Sequence, residues 1–95
     1  VEIQISFQSR FGPSEWLKPY TDKTLEDLPS KNKKNILVIC PGFASDCVET
    51  LEEINIQGRE SFLEKGGLNF DLIPCLNDQD DHIELLASIC KRYLV

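Results

Sequence analysis

The sequence predicts a three-layer α/β fold in which a parallel sheet of about three strands is flanked by helices. Three apolar segments have the character of strands, namely residues 1–8, 35–40 and 70–75. Helical patterns separate them, and this alternation favours parallel strands joined by right-handed crossovers. Ligands of such sheets bind beyond the carboxyl ends of the strands, so the loops after the first two segments are candidate site loops.

The strand candidates differ in pattern. "VEIQISFQ", residues 1–8, alternates apolar and polar residues, as expected of a strand with one buried face. "NILVIC", residues 35–40, is continuously apolar and rich in β-branched residues, which is typical of an inner strand covered on both faces. "FDLIPC", residues 70–75, contains Pro74, which cannot donate to a ladder and is therefore expected at the end of the strand or on an edge.

Helices are predicted between and after the strands. A short helix begins near Thr21 and stops at Pro29. A long helix covers residues 46–64 and ends at Gly66, because glycine accepts the left-handed backbone that terminates many helices. A terminal helix covers residues 79–93, where apolar residues recur at helical spacing.

The composition restricts the function. The chain has 95 residues, the size of one small domain. Its 16 acidic and 10 basic residues give a net charge of -6, which disfavours nucleic-acid partners because their backbone is also negative. No apolar run is long enough to cross a bilayer. The chain begins with Val and contains no Met, so we expect a fragment or a processed piece.

The four cysteines, Cys40, Cys47, Cys75 and Cys90, form neither a CxxC pair nor a zinc-binding pattern. Free thiols in a reducing, cytoplasmic protein are therefore expected rather than a disulfide framework. No iron–sulfur cluster is evident in this chain.

A cluster of carboxylates lies in "FASDCVETLEEI", residues 43–54, without a Lys or Arg among them. On a wheel with about 100° per residue, Asp46, Glu49 and Glu53 begin a narrow stripe. The stripe continues through Gln57, Glu60 and Glu64. The opposite side, which is predicted to face the sheet, consists of Cys47, Val48, Leu51, Ile54 and Phe62.

The stripe has two interpretations, a solvated helix face or a functional site. Like charges at i,i+4 destabilise a helix by roughly 0.2–0.5 kcal/mol per pair, and no base offsets Glu49 with Glu53. The helix dipole favours carboxylates in the first turn, but Glu53 lies beyond it. Unpaired carboxylates at the mouth of an α/β sheet suit a cation, or a proton relay with raised pKa values.

Three phrases, "QSRFGPSEWLKPYT", "SDCVETLEEI" and "IPCLND", together resemble the C-terminal part of ferrochelatase, the lyase that inserts ferrous iron into a porphyrin in heme biosynthesis. The resemblance runs from Ser6 to about Asp78 in the family's order and spacing. It implies that residues 1–95 are an incomplete C-terminal domain of the two-domain, chelatase-like (Rossmann-like) fold, without the N-terminal half. The fragment alone is expected to be inactive.

The resemblance also implies roles for the carboxylates. Glu49 matches the family's cavity glutamate, which takes protons from pyrrole nitrogens or handles the metal. Glu53 matches the next acid of a row that follows a helix with a π-type widening, and Asp46 matches the motif's aspartate. Metal handling is therefore expected of Asp46, Glu49 and Glu53. A cavity-facing glutamate is expected to have a pKa raised toward neutrality, so that it acts as a general base.

The substrate-binding residues implied by the resemblance are Ser9, Arg10 and Trp16, in the loop after the first strand. The expected partners are a porphyrin, either protoporphyrin or coproporphyrin, and the N-terminal half of the same enzyme. Ferrous iron is expected as substrate, with no organic cofactor. Peripheral association with a membrane and the oligomeric state are left open.

The chain departs from the family pattern at several positions. Cys47 stands where many members have His, and Gln57 shortens the acidic row. By the resemblance, the family's essential histidine lies before residue 1 of this chain. Its strand would occupy the place in the sheet between residues 1–8 and residues 35–40. His82 is not that residue and is expected at the surface. Without that strand, residues 1–8 are expected to pair directly with residues 35–40, because unpaired backbone groups are costly to bury.

Two other functions are alternatives. A cobalt or nickel chelatase of the same superfamily would lack the "QSR" to "WLKPYT" phrase. A non-catalytic α/β interaction module would use the acidic helix as its docking face.

Overall fold

A sheet of two parallel strands organises the structure, a computed structural model that describes residues 2–9, 13–15 and 17–94. Strand β1 (Asn35–Val38) pairs with β2 (Asn69–Leu72), with Ile36 opposite Phe70. The parallel α/β class is confirmed, but the sheet has two strands where about three were predicted. The helices, in chain order, are α1 (Thr21–Asp27), a 3-10 helix (Leu28–Lys31), a π-helix (Glu49–Gly58), α2 (Arg59–Glu64) and α3 (Asp80–Lys91).

The first segment is where the strand prediction was wrong. Within the described residues, the only bridge of residues 2–8 joins Phe7 to Tyr20, and no ladder connects them to β1. The Phe7 N–H donates to the Pro19 carbonyl at 2.9 Å. Ile3 and Ile5 are 87% and 71% exposed. A strand needs a neighbour for its backbone and a layer over its apolar face, and before Phe7 the described residues supply neither to this segment.

The core lies between the helices and one face of the sheet. Phe62 of α2 is fully buried, and its ring centroid is 5.9 Å from that of Phe70 on β2. Leu25 of α1 and Ile54 of the π-helix complete the centre of this core. Cys40 and Cys75, which follow the two strands, are buried at its edge.

The other face of the sheet is open in the described part of the chain. Leu37 and Ile39 are both more than 60% exposed, so the prediction that this segment is covered on both faces was wrong for these residues. Helix α3 likewise exposes Ile83 and Leu86. The radius of gyration is 16.2 Å, against about 12 Å for a compact domain of this length.

Two devices fix the long helical segment against the strands. Its end is a Schellman turn, as predicted from Gly66, which has a φ of 105°. There the Gly67 N–H donates to the Phe62 carbonyl at 2.9 Å. At its middle, Arg59 Nη1 donates to the Phe70 carbonyl at 2.7 Å, and the guanidinium carbon lies 5.0 Å from the Phe70 ring centroid. Arg59 thereby holds the helical segment against β2.

Candidate active site

The carboxylate helix is π-helical from Glu49 to Gly58. Its hydrogen bonds span five residues, so each residue turns the chain through less than the 100° or so of an α-helix. The buried positions of the helical segment consequently fall four residues apart, at Thr50, Ile54, Gly58 and Phe62. A π-type widening is what the family resemblance implied.

This geometry changes the predicted faces of the helix in part, since Ile54 and Phe62 are buried as predicted. Val48 and Leu51, which the wheel turned toward the sheet, are exposed, Val48 by 66%. Glu49 and Glu53 are half-buried, whereas Gln57 and Glu60 are exposed. The prediction of a single solvated stripe was therefore wrong, because a wheel with α-helical spacing does not describe a wider helix.

Glu49 begins the π-helix. A hydrogen bond from the Cys47 thiol, followed by one from its own backbone N–H, holds the pKa of Glu49 below its ordinary value. The sequence predicted a raised pKa, and the structure has the opposite direction, because these donors favour the charged form more than burial disfavours it. The main-chain carbonyl of Glu49 accepts a 2.9 Å hydrogen bond from Gln8 Nε2. Glu49 is thus an ionised carboxylate on a tethered backbone.

Glu53 lies one turn further and contacts the loop after the first segment. Its Oε1 accepts a 3.0 Å bond from the Ser9 N–H, and its Oε2 a 3.4 Å bond from the Ser9 hydroxyl. Ser9 has a φ of 60°, a left-handed backbone that is uncommon for residues other than glycine. The two bonds to Glu53 stabilise that backbone and hold the loop against the helix.

A cleft of about 580 Å³ opens beside this contact. It lies between the loop at Gln8 and Ser9, the start of α1 and the π-helix, and Glu52 and Glu53 are in its lining. Two carboxylates of the π-helix thus lie at an open cleft.

Asp46 is the centre of a hydrogen-bond network before the helix. Its Oδ1 accepts from the Thr50 hydroxyl at 2.9 Å, and its Oδ2 from Asn77 Nδ2 at 2.9 Å and from the Cys75 N–H at 3.2 Å. The Asp46 N–H donates in return to Asn77 Oδ1 at 2.8 Å. Asp46 therefore joins the start of the helix to the loop after β2.

Comparison with known proteins gives the family of this chain. The family model for ferrochelatase matches residues 1–94.

The chain belongs to the ferrochelatase family.

Curated relatives include the ferrochelatase of Vibrio atlanticus. It is 53% identical over 92 residues, which are 97% of this chain and 29% of that protein. The ferrochelatase of Yersinia enterocolitica serotype O:8 is 54% identical over 93 residues, or 98% of this chain and 29% of the relative. The coproporphyrin III ferrochelatase of Streptococcus mutans is 55% identical over 91 residues, or 96% and 28%. The chain spans less than a third of the length of these ferrochelatases.

The sequence-predicted site residues of this ferrochelatase segment fall into two groups. The first group, Ser9, Asp46, Glu49 and Glu53, lies within the described residues, where Ser9 contacts Glu53, four residues after Glu49 on the π-helix. Arg10 and Trp16 lie outside the described residues. In the described ranges, no group of three or more His, Cys, Asp or Glu side chains is arranged to hold a metal ion. Metal handling by Asp46, Glu49 and Glu53 stays a prediction. No described helix is both long and apolar enough to span a membrane.

Several residues of this candidate site were not predicted from the sequence. Gln8 holds Glu49, and Asn77 holds Asp46. In the sequence, Gln8 and Asn77 were marked only as parts of the phrases "QSR" and "LND". His82 was expected at the surface but is 7% exposed, and its Nδ1 donates to the Asn77 carbonyl. It therefore supports the loop that carries Asn77. An isolated histidine in a sequence has no feature that reveals such a partner.

The thiols of the segment are free cysteines, and two of them titrate unusually. Burial, followed by a hydrogen bond to the Asp46 carboxylate, raises the pKa of Cys75 to about 11. Burial also raises the pKa of Cys40. Both thiols are therefore protonated at neutral pH, and neither is an activated nucleophile.

Asp46 makes the fold sensitive to acid. Hydrogen bonds, first from Asn77 and then from Cys75 and Thr50, hold the pKa of Asp46 below its ordinary value despite burial. A depressed folded-state pKa contributes stability that is present above the ordinary pKa of about 3.9 and is lost as pH falls below it. We expect Asp46→Asn to lower the urea midpoint at pH 7 and to flatten its decline between pH 5 and 3.

The measurement is urea denaturation of the full-length protein at several pH values. Asp71→Asn is the matched control, because Asp71 is an exposed aspartate on β2. If the two variants had the same pH dependence, the network around Asp46 would not be the source of the acid sensitivity.

Proposed function

We propose that residues 1–95 belong to the C-terminal domain of a ferrochelatase, a lyase that inserts ferrous iron into a porphyrin. The observation that carries the proposal is the pair of half-buried carboxylates, Glu49 and Glu53, on a π-helix held by Gln8 and Ser9. The names of the relatives support the reaction. Because the chain spans less than a third of their length, the activity is proposed for the whole protein.

Metal insertion removes two protons from pyrrole nitrogens and replaces them with the dication. Glu49 is proposed as the base. Its depressed pKa keeps it ionised near neutral pH, so it is ready to accept a proton. A porphyrin lying over Glu49 would displace water and raise its pKa, because burial disfavours the charged carboxylate. Its strength as a base would thus rise when substrate is bound.

Glu53 is proposed to pass protons from Glu49 to solvent, or ferrous iron in the opposite direction. It lies four residues from Glu49, and together with Glu52 it lines the open cleft. Gln57 Nε2 donates to Glu52 Oε1 at 3.4 Å, at the position where the family's acidic row would continue. The cleft would give this shorter row its access to water.

The family resemblance implied that Asp46 handles metal together with Glu49 and Glu53. The Asp46 carboxylate oxygens accept bonds from Thr50, Asn77 and Cys75, which supports a positioning role for this residue. Metal contact is therefore proposed first for Glu49 and Glu53, because Asp46 accepts bonds from three residues and Glu53, among the described residues, from Ser9 alone. Asp46 would keep the first turn of the helix next to the loop after β2.

The porphyrin side of the site is proposed to involve Ser9, Arg10 and Trp16. An indole offers a flat apolar face to the macrocycle, and a guanidinium pairs with a carboxylate of the porphyrin. The substrate is proposed only as a porphyrin, because relatives of similar identity carry two names, ferrochelatase and coproporphyrin III ferrochelatase. No organic cofactor enters the proposal, and free thiols support a reducing, cytoplasmic location.

Metal insertion by the full-length protein tests this proposal. We expect a full-length protein that contains this segment to form metalloporphyrin from ferrous iron, or from zinc as a surrogate. Residues 1–95 alone are expected to form none above a no-protein control, because the family's essential histidine is not among them. Absorbance and fluorescence of the product report both results. An inactive full-length protein would contradict the proposed function, and an active fragment would contradict the need for the upstream histidine.

A further inference from the structure

Gln8 uses both ends of its side-chain amide to join two elements. Its Nε2 donates to the Glu49 carbonyl at 2.9 Å and lies 3.5 Å from the Ser9 hydroxyl. Its Oε1 accepts from the Cys40 thiol at 3.5 Å. Cys40 follows β1 and is buried, so Gln8 connects the first turn of the π-helix to the carboxyl end of the sheet.

Ser9 adds a second attachment to the same helix. Its N–H and hydroxyl bind the Glu53 carboxylate, four residues after Glu49. Two consecutive residues of one loop therefore hold two points on the same side of the helix. Two attachments limit the rotation of the helix about its own axis as well as its movement along the sheet.

This restraint matters because the helix is π-helical. A π-helix of this length is rare, and a return to α-type hydrogen bonds would rotate its residues relative to one another. Catalytic groups must be held to within about 0.5 Å of their working positions, and helix rotation moves a glutamate side chain by more than that.

We infer that Gln8 is a positioning residue for Glu49, which it acts on by holding the first turn of the π-helix against β1. The inference rests on the proposed function. Gln8 itself need not touch the substrate. Its removal would change where the Glu49 carboxylate points and therefore which hydrogen-bond donors surround it.

The test uses the full-length protein with Gln8→Met and Gln8→Glu. Methionine preserves the length of the side chain without a strong donor, and glutamate replaces the donating amide with an acceptor. We expect kcat to fall by about 10–100-fold with little change in the KM for porphyrin, as is typical of a misplaced catalytic group. Gln4→Met, at an exposed glutamine of the same segment, is the control and should retain wild-type kcat.

Two further measurements separate positioning from a general loss of folding. The acid limb of the kcat–pH profile should shift in the Gln8 variants, whereas a smaller folded fraction would only scale the profile. Amide hydrogen exchange of residues 49–58 should accelerate while that of β1 is unchanged.

The inference is overturned if both Gln8 variants keep the wild-type kcat and pH profile while Glu49→Gln is inactive. If Glu49→Gln itself is fully active, the proposed base is wrong, and the role inferred for Gln8 is rejected with it. The Glu49→Gln variant thus separates failure of the inference from failure of the proposed function.

Discussion

Glu49→Gln in the full-length protein is expected to lower kcat by about 10²–10⁴-fold, the range typical of a lost general base. Glutamine has nearly the shape of glutamate but does not take up a proton near neutral pH. Because the substitution leaves the shape of the site intact, the affinity for porphyrin should remain close to that of the wild type. Steady-state kinetics of metalloporphyrin formation and a fluorescence titration with metal-free porphyrin measure the two effects.

Two matched variants calibrate this result. Glu53→Gln is expected to be milder, because its proposed role is transfer rather than proton abstraction. Glu60→Gln should have no effect, since Glu60 is exposed on α2. A loss of less than about tenfold for Glu49→Gln would contradict its assignment as the base. An effect of Glu60→Gln as large as that of Glu49→Gln would indicate that helix charge, and not position, matters.

Phe62→Ala is expected to have the largest effect on stability. The Phe62 ring is fully buried, packs on Phe70 and lies under Gly67, where a Cβ would come within 2.2 Å of the ring. Removing a buried phenylalanine costs about 3–5 kcal/mol, and small domains have total stabilities of about 5–15 kcal/mol. Urea denaturation of the full-length protein, followed by circular dichroism, measures the loss.

The neighbouring residue provides the control for Phe62. Leu63 is 42% exposed, so Leu63→Ala should cost much less. Equal losses for the two substitutions would show that the ring is not the centre of the core. Because Phe62 continues the buried row through Thr50, Ile54 and Gly58, we also expect Phe62→Ala to loosen the π-helix.

Some features of this protein follow from its sequence alone. The apolar run at residues 35–40 identified β1. Pro74 was expected at the end of a strand and lies just after β2. Gly66 ended the long helix, as predicted. These features depend on local chemistry. Continuous β-branched residues favour extended backbone, proline lacks a donor, and glycine tolerates a positive φ. The phrases around Ser9 and Glu49 also identified the family, which the family model confirmed.

Other features depended on contacts between distant parts of the chain. Residues 1–8 have the pattern of a strand, but a ladder forms only beside a partner, and the described residues offer none. The faces of the carboxylate helix depend on how far each residue turns the backbone, which an α-helical wheel misjudged for a π-helix. Gln8, Asn77 and His82 gained their roles from partners that only tertiary structure brought near. Local sequence thus determined that β1, β2 and the long helix form and where that helix ends, whereas tertiary packing decided which side chains meet, because hydrogen bonds and burial depend on distance in space rather than along the chain.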